Sequence, residues 1–141
     1  MSFTLLLCPH DPHWPIHDLE SFLYVLMWIC TSYAGPMSAR QPGFDPYLSP
    51  MGQWFSGDPT TVGKLKRDVM FQPPAKFRAF LDDTFDPYFD DLKDCVCEIR
   101  RAILFTDEGA THEDILDILE LHARAQHPDK YYRPVLRNRQ E

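Results

Sequence analysis

The 141-residue sequence is poor in glycine and in positive charge. It contains six glycines, and no two of them are separated by a single residue, so the chain has no Gly-x-Gly loop. Lys and Arg number 14 against 21 Asp and Glu, which gives a formal net charge of −7. Since phosphate contacts need clustered Lys and Arg, this charge balance argues against a general nucleic-acid-binding protein.

A hydrophobic run long enough to cross a membrane is also lacking. The longest apolar run, 22–30, is about half the length that spans a bilayer. The start, MSFTLLLCPH, has no positively charged region, no long apolar region and no small-residue cleavage site. We therefore predict an intracellular, cytoplasmic chain with no signal peptide, no transmembrane segment and no membrane partner.

The four cysteines lack the spacing of a disulfide framework. Cys95 and Cys97 are expected on one helix, where side chains two positions apart diverge, so they cannot readily form a bridge or share an ion. Reduced, partly buried thiols in an intracellular protein are the expected state.

A group of metal-binding residue types lies near the N-terminus. The side chains of Cys8, His10, His13 and His17 are soft or borderline ligands for zinc or copper, and they fall within ten residues. This density is the only support for a metal site in the N-terminal loop. The alternative is a loop whose histidines face water.

Apolar residues at helical spacing predict an all-α fold of about five helices. The first helix is predicted over 18–33 with Asp18 as its N-cap, and the later ones over 59–71, from Pro74, after Pro87 and from a capping box at Thr111 and Asp114 to about 126. Between the first two, 34–59 holds five prolines and four glycines and is predicted to be a long loop. We therefore expect an irregular segment 1–15, a helical domain 16–127 and a basic, flexible tail 128–141.

The stretch HDLESFLYVLMWIC, from His17 to Cys30, leaves no polar helix face after its first turn. It closely resembles the segment that opens the central C-lobe helix of fungal-type protein kinases, and more loosely that of casein-kinase-like enzymes. In that family the helix is buried on every side. The resemblance extends over roughly positions 16–105, through Trp54 and TTVGKLKRDVMF, and it implies the C-terminal part of a kinase C-lobe.

The resemblance also implies roles for two residues. Asp18 matches the helix-capping aspartate that, in a complete kinase, accepts backbone N–H bonds from the catalytic loop and anchors it. Trp54 is assigned by resemblance to the substrate-side surface.

The motifs that would carry phosphoryl transfer are missing from these 141 residues. There is no glycine-rich loop, no strand-borne lysine ahead of a helix glutamate, no H-R-D and no D-F-G. Phosphoryl transfer depends on those parts to position nucleotide, magnesium and acceptor. We expect no enzymatic activity and no cofactor from this chain as it stands, with ATP and magnesium relevant only if it is part of a longer kinase.

The sequence supports three alternative functional hypotheses. The first is a non-catalytic, kinase-derived helical module that contacts other proteins, and the second is a truncated portion of an active fungal-type Ser/Thr kinase. The third, more distant, is the metal-binding N-terminal loop. For the first helix we expect an exposed apolar strip, a covering partner or second copy, or a covering N-terminal segment. The residues suited to that covering are Phe3, Leu5, Leu6, Leu7 and Trp14.

Overall fold

The computed structural model describes residues 1–36, 38–40 and 43–128. The chain is mainly α-helical, as predicted. Its α-helices are α1 (Phe3–Leu7), α2 (Pro15–Ser32), α3 (Pro59–Met70), α4 (Pro74–Thr84), α5 (Lys93–Leu104) and α6 (His112–Gln126). The described residues also include short 3₁₀-helices at Pro46–Leu48, Pro50–Phe55 and Pro87–Leu92. Two short strands, β1 (Tyr33–Gly35) and β2 (Ser38–Ala39), pair antiparallel with Tyr33 opposite Ala39.

Proline and side-chain caps set where several helices begin. Pro59 and Pro74 occupy the first turns of α3 and α4, where a missing backbone N–H costs nothing. The Asp58 carboxylate caps α3 by accepting from the Thr61 amide at 3.0 Å. The predicted capping box of α6 is present, with the Thr111 amide donating to the Asp114 carboxylate at 2.8 Å. These local signals explain why the starts of α3, α4 and α6 were predicted correctly.

Two segments contain more regular structure than we expected. The segment 1–15, predicted to be irregular, holds α1, whose N-cap hydroxyl on Ser2 accepts from the Leu5 amide at 3.2 Å. The long connection after α2 is present, but it contains β1, β2 and two of the 3₁₀-helices. Met51 and Trp54 on the second of these are buried, so apolar burial holds this proline-rich segment in place.

The hydrophobic core lies where α2 packs against α5 and where α5 packs against α4 and α6. Its fully buried members include Leu23 and Met27 of α2, Phe77 of α4, and Val96 and Ile99 of α5. A buried side chain of this size contributes on the order of 1.5–3 kcal/mol relative to full exposure.

The short N-terminal helix α1 packs against α3 rather than along α2. Gly63 of α3 lies directly under it, because a Cβ at that position would come within 2.9 Å of Leu7 Cγ and 3.1 Å of Leu6 Cβ. The absent side chain therefore allows the close approach of the two helices.

Among the described residues, no helix combines the length and the apolar character needed to span a lipid bilayer. The predicted basic tail, 128–141, lies outside the described residues from position 129 onward.

Candidate interaction surface

One face of α2 is apolar and exposed. Phe22, Val25, Ile29 and the following Tyr33 are 41%, 56%, 41% and 45% exposed. Their spacing of three and four residues places them on one side of the helix. Of the alternatives expected for this helix, the structure therefore has the exposed strip.

An aromatic cluster from the connection after α2 extends this face. The Trp28 ring centroid lies 5.3 Å from that of Tyr47 and 4.4 Å from that of Phe55. The Tyr47 side chain is 65% exposed and that of Phe55 is 50% exposed. We refer to the combined face as the α2 surface; it consists of Phe22, Val25, Trp28, Ile29, Tyr33, Tyr47 and Phe55.

The α2 surface carries no charge along its helix. From Ser21 to Ala39 the chain contains no Asp, Glu, Lys, Arg or His. This is unusual for an exposed helix face, because charged and polar side chains normally fill the solvent side. A contiguous exposed apolar patch of this kind is typical of an interaction site.

The opposite side of α2 holds a buried polar cluster. The Glu20 carboxylate accepts a hydrogen bond from the Phe3 amide at 2.7 Å and another from the Tyr24 hydroxyl. The Lys66 ammonium lies 4.6 Å from the centre of the Tyr24 ring and donates to the Met1 carbonyl at 2.9 Å. The N-terminal segment is thus held against Glu20 and α3.

Burial dominates the electrostatics of this cluster. It raises the pKa of the Glu20 carboxyl, against the opposing effect of the hydrogen bonds from Tyr24 and Phe3. It also lowers the pKa of the Lys66 ammonium, which the Glu20 charge partly offsets. Both groups are nearly inaccessible to solvent, and the cluster therefore holds the N-terminal segment in place without being open to a ligand.

The suggested covering residues do not lie over the α2 surface. Four of them belong to α1, which packs on α3: Phe3, Leu5, Leu6 and Leu7. The Phe3 ring also contacts the Phe71 ring, with centroids 5.6 Å apart. The Trp14 side chain is 60% exposed. The expectation of an N-terminal cover is therefore wrong for the exposed strip.

Asp18 is not the N-cap of α2. The helix begins three residues earlier, at Pro15, with Trp14 in the capping position, because proline is pre-organised for the first helical position. The Asp18 carboxylate is mostly exposed and lies 2.9 Å from His13 Nε2. Its place in the first turn still suits a negative charge, but it accepts no capping N–H of α2. The role as a catalytic-loop anchor stays a prediction.

Trp54 lies in the core, although the resemblance had placed it on a substrate-side surface. It is 4% exposed, stacks on Phe80 with ring centroids 5.9 Å apart, and meets Tyr24 edge to face at 5.3 Å. Its position follows from the 3₁₀-helix that turns it inward, a feature that the proline-rich sequence did not reveal.

The candidate metal ligands do not converge. Cys8, His10 and His13 are exposed, whereas His17 is buried and its Nδ1 accepts a hydrogen bond from the Trp14 amide at 3.1 Å. The His13 and His17 rings stack, with centroids 5.7 Å apart. Within the part of the chain that the structure describes, no group of three or more His, Cys, Asp or Glu side chains is arranged to hold a metal ion. The geometry gives the metal-binding alternative no support.

The aromatic part of the α2 surface was missed from sequence. Trp28 belongs to the apolar run 22–30, and its partners Tyr47 and Phe55 lie in 34–59, where the sequence predicts a long loop. The available signal was the aromatic content of 44–55, which holds Phe44, Tyr47, Trp54 and Phe55.

Comparison with known proteins gives one family match. The model of the fungal protein kinase family matches residues 1–30, which cover α1 and most of α2. The match supports a weak link between this segment and fungal protein kinases, and it does not extend to the helices from α3 onward. No curated protein matches the chain significantly. No solved structure matches it significantly either.

Proposed function

We propose that this chain is a kinase-related, non-catalytic helical module that acts through protein–protein contact at the α2 surface. The observation that carries the proposal is the exposed, uncharged apolar face of α2. The fungal-kinase match over residues 1–30 ends within that same helix. The lack of nucleotide-binding and catalytic motifs in the 141 residues favours a contact role over phosphoryl transfer.

The partner that fits the α2 surface best is a second copy of the chain. Phe22, Val25 and Ile29 follow the three-and-four spacing of a helix–helix seam. In an antiparallel pair of α2 helices, Phe22 of one copy would face Ile29 of the other, and Asp18 would face Tyr33. No two like charges then meet along the seam, even though each chain carries a net charge of −7.

The exposed area is sufficient for such a pair. Aromatic side chains present on the order of 150–250 Å² each, so the exposed parts of the α2 surface amount to roughly 600 Å² per copy. Two copies together would bury roughly 1,200 Å², at the lower end of stable protein–protein interfaces. We therefore expect a weak dimer whose dissociation is visible on dilution.

Sedimentation equilibrium of the wild type and two matched variants tests this proposal. Val25→Glu places a charge on the α2 surface, and Leu121→Glu makes the same change at an exposed apolar position of α6. We expect the wild type and Leu121→Glu to form dimers and Val25→Glu to be monomeric with unchanged circular dichroism. A wild type that is monomeric at all concentrations would overturn the second-copy assignment and point to a different protein partner.

The family match also favours a second candidate, namely that the chain is a portion of a longer, active fungal-type Ser/Thr kinase. In that case an upstream in-frame segment of the native transcript would encode H-R-D and D-F-G, and Asp18 would anchor the catalytic loop. Mapping the 5′ end of the transcript distinguishes the two candidates. For the chain as it stands, a saturable rise in melting temperature with ATP and magnesium would contradict the non-catalytic proposal.

A further inference from the structure

A cavity of about 440 Å³ lies between the start of α4 and the end of α5, away from the α2 surface. Its walls include Phe71, Pro73, Cys97, Arg100, Arg101 and Phe105. The volume is within the range of small-molecule sites, roughly 300–1,000 Å³. Nothing in the proposed function uses this cavity.

Arg100 is the most buried positive charge at the cavity. Its side chain is 4% exposed, and its guanidinium lies 4.2 Å from the centre of the Phe77 ring. Nε donates to the Met70 carbonyl at 2.8 Å and an Nη donates to the Gln72 carbonyl. These neutral carbonyls hold the side chain in place but leave its charge uncompensated.

Most of the other arginines among the described residues differ from Arg100 in having a carboxylate partner. Four of the six are paired with carboxylates, as Arg40–Asp86, Arg67–Asp68, Arg78 with Asp82 and Asp94, and Arg124–Glu120. Within residues 1–36, 38–40 and 43–128, neither Arg100 nor Arg101 forms an ion pair with a carboxylate. The two described arginines without a carboxylate partner thus line the same cavity.

This arrangement is costly unless an anion completes it. Removing a charge from water is unfavourable, and a well-placed counter-charge with hydrogen bonds reduces that penalty. Burial lowers the pKa of the Arg100 guanidinium, and the adjacent Arg101 charge lowers it further. The chain carries 21 acidic residues, so the missing partner does not reflect a shortage of carboxylates.

The other wall of the cavity is apolar and aromatic. The rings of Phe71 and Phe105 meet edge to face with centroids 5.6 Å apart, and each side chain is about half exposed. The Phe105 ring also lies 5.0 Å from the Arg100 guanidinium. A flat apolar group placed against these rings would lie next to the unpaired positive charge.

We propose that this cavity binds a small organic carboxylate, with the carboxylate at Arg100 and Arg101 and a flat apolar body against Phe71 and Phe105. The planar guanidinium presents paired N–H groups that match a carboxylate, which is why arginine suits this role. The aromatic wall favours such a ligand over small hydrophilic anions, because only an apolar body removes the rings from water.

Titration calorimetry with three probes separates the charge from the apolar contribution. The probes are 2-naphthoate, its uncharged analogue 2-naphthalenemethanol, and acetate. On the wild type we expect 2-naphthoate to bind at least about tenfold more tightly than either of the other two. Equal binding of 2-naphthoate and the alcohol, or no binding of 2-naphthoate, would overturn the proposal.

Two matched variants locate the binding. Arg101→Gln removes an exposed guanidinium of the cavity, and Arg124→Gln removes an exposed guanidinium of α6. We expect Arg101→Gln to weaken 2-naphthoate binding about tenfold or more, to leave binding of the alcohol unchanged, and to retain the wild-type melting temperature. Binding that falls equally in Arg124→Gln, or not at all in Arg101→Gln, would show that the carboxylate does not bind at this cavity.

Discussion

The Lys66 ammonium of α3 donates a hydrogen bond to the backbone carbonyl of Met1 at 2.9 Å. This contact joins residues 65 positions apart and holds the first residues of the chain against the middle of the domain. The ammonium is almost fully buried, and its positive charge partly offsets the rise that burial gives to the pKa of Glu20. The N-terminal segment is therefore part of the folded domain.

Replacing Lys66 by methionine tests this relationship. The change keeps a long side chain but removes the donor to Met1, and it takes the positive charge of Lys66 away from the buried Glu20 carboxyl. We expect a loss of about 1–3 kcal/mol in the free energy of unfolding, measured by urea denaturation. The matched control is Lys64→Met, on an exposed position of the same helix, with an expected change within about 0.5 kcal/mol. Equal effects of the two changes would contradict the role of the buried contact.

The pH dependence of stability depends on the buried Glu20 carboxyl. Burial raises its pKa above the ordinary value of 4.5. Between that value and the raised pKa, the folded protein holds a proton that the unfolded chain has released. Because the folded state then binds more protons, the contribution of Glu20 to stability falls as pH rises through this window.

We expect Glu20→Gln to remove this part of the profile. Its amide oxygen can still accept from the Phe3 amide and the Tyr24 hydroxyl, so the packing is retained. The measurement is the urea midpoint at a series of pH values from below 4.5 to neutral. Glu108→Gln, at an exposed position, serves as the control and should keep the wild-type slope. A Glu20→Gln profile parallel to that of the wild type would contradict the assignment.

The parts of the fold that the sequence predicted are those governed by neighbours in the chain. Pro59, Pro74 and the Thr111–Asp114 pair act within one helical turn, and their helices begin where the residues indicate. The same local rule misplaced the start of α2, because Pro15 outweighed Asp18 as a start signal. The five-residue α1 is too short to show a helical period, so it was missed.

The candidate sites could be predicted only in part, because they depend on contacts between distant residues. The apolar run 22–30 predicted either an exposed apolar strip on α2 or a cover over it, and the structure has the exposed strip. The packing of Trp28 on Tyr47 and Phe55 depends on how the connection folds back, which no local pattern encodes. Likewise, the absence of a carboxylate beside Arg100 among the described residues is a property of the tertiary structure alone.

The two indoles Trp54 and Trp14 provide a matched test of the core. Trp54 is 4% exposed and packs on Phe80 and Tyr24, whereas Trp14 is 60% exposed. We expect Trp54→Ala to lower the free energy of unfolding by about 3–5 kcal/mol. For Trp14→Ala we expect a change within about 0.5 kcal/mol. A smaller loss of unfolding free energy for Trp54→Ala than for Trp14→Ala would contradict the burial of Trp54 in the core.

Thiol reactivity distinguishes the buried cysteines from the exposed one. Burial raises the pKa of the Cys30 thiol to about 12 and that of the Cys95 thiol to about 11, so both are protonated and inaccessible at mildly alkaline pH. Cys97 is half-buried, and burial raises its pKa as well. Cys8 is exposed and is not in a disulfide. We expect iodoacetamide to modify Cys8 first, as read by mass spectrometry of peptides over time.

The variant Cys8→Ser provides the control for this reaction. Because Cys8 accounts for the fast phase, its replacement should abolish that phase and leave the slow modification of Cys97 in place. Cys30 and Cys95 should react only after urea unfolds the protein, since the thiolate and not the thiol is the nucleophile. Modification of Cys30 in the native protein at the rate of Cys8 would mean that α2 separates from α5 in solution. The packing of α2 against α5, which holds the α2 surface in place, would then be lost part of the time.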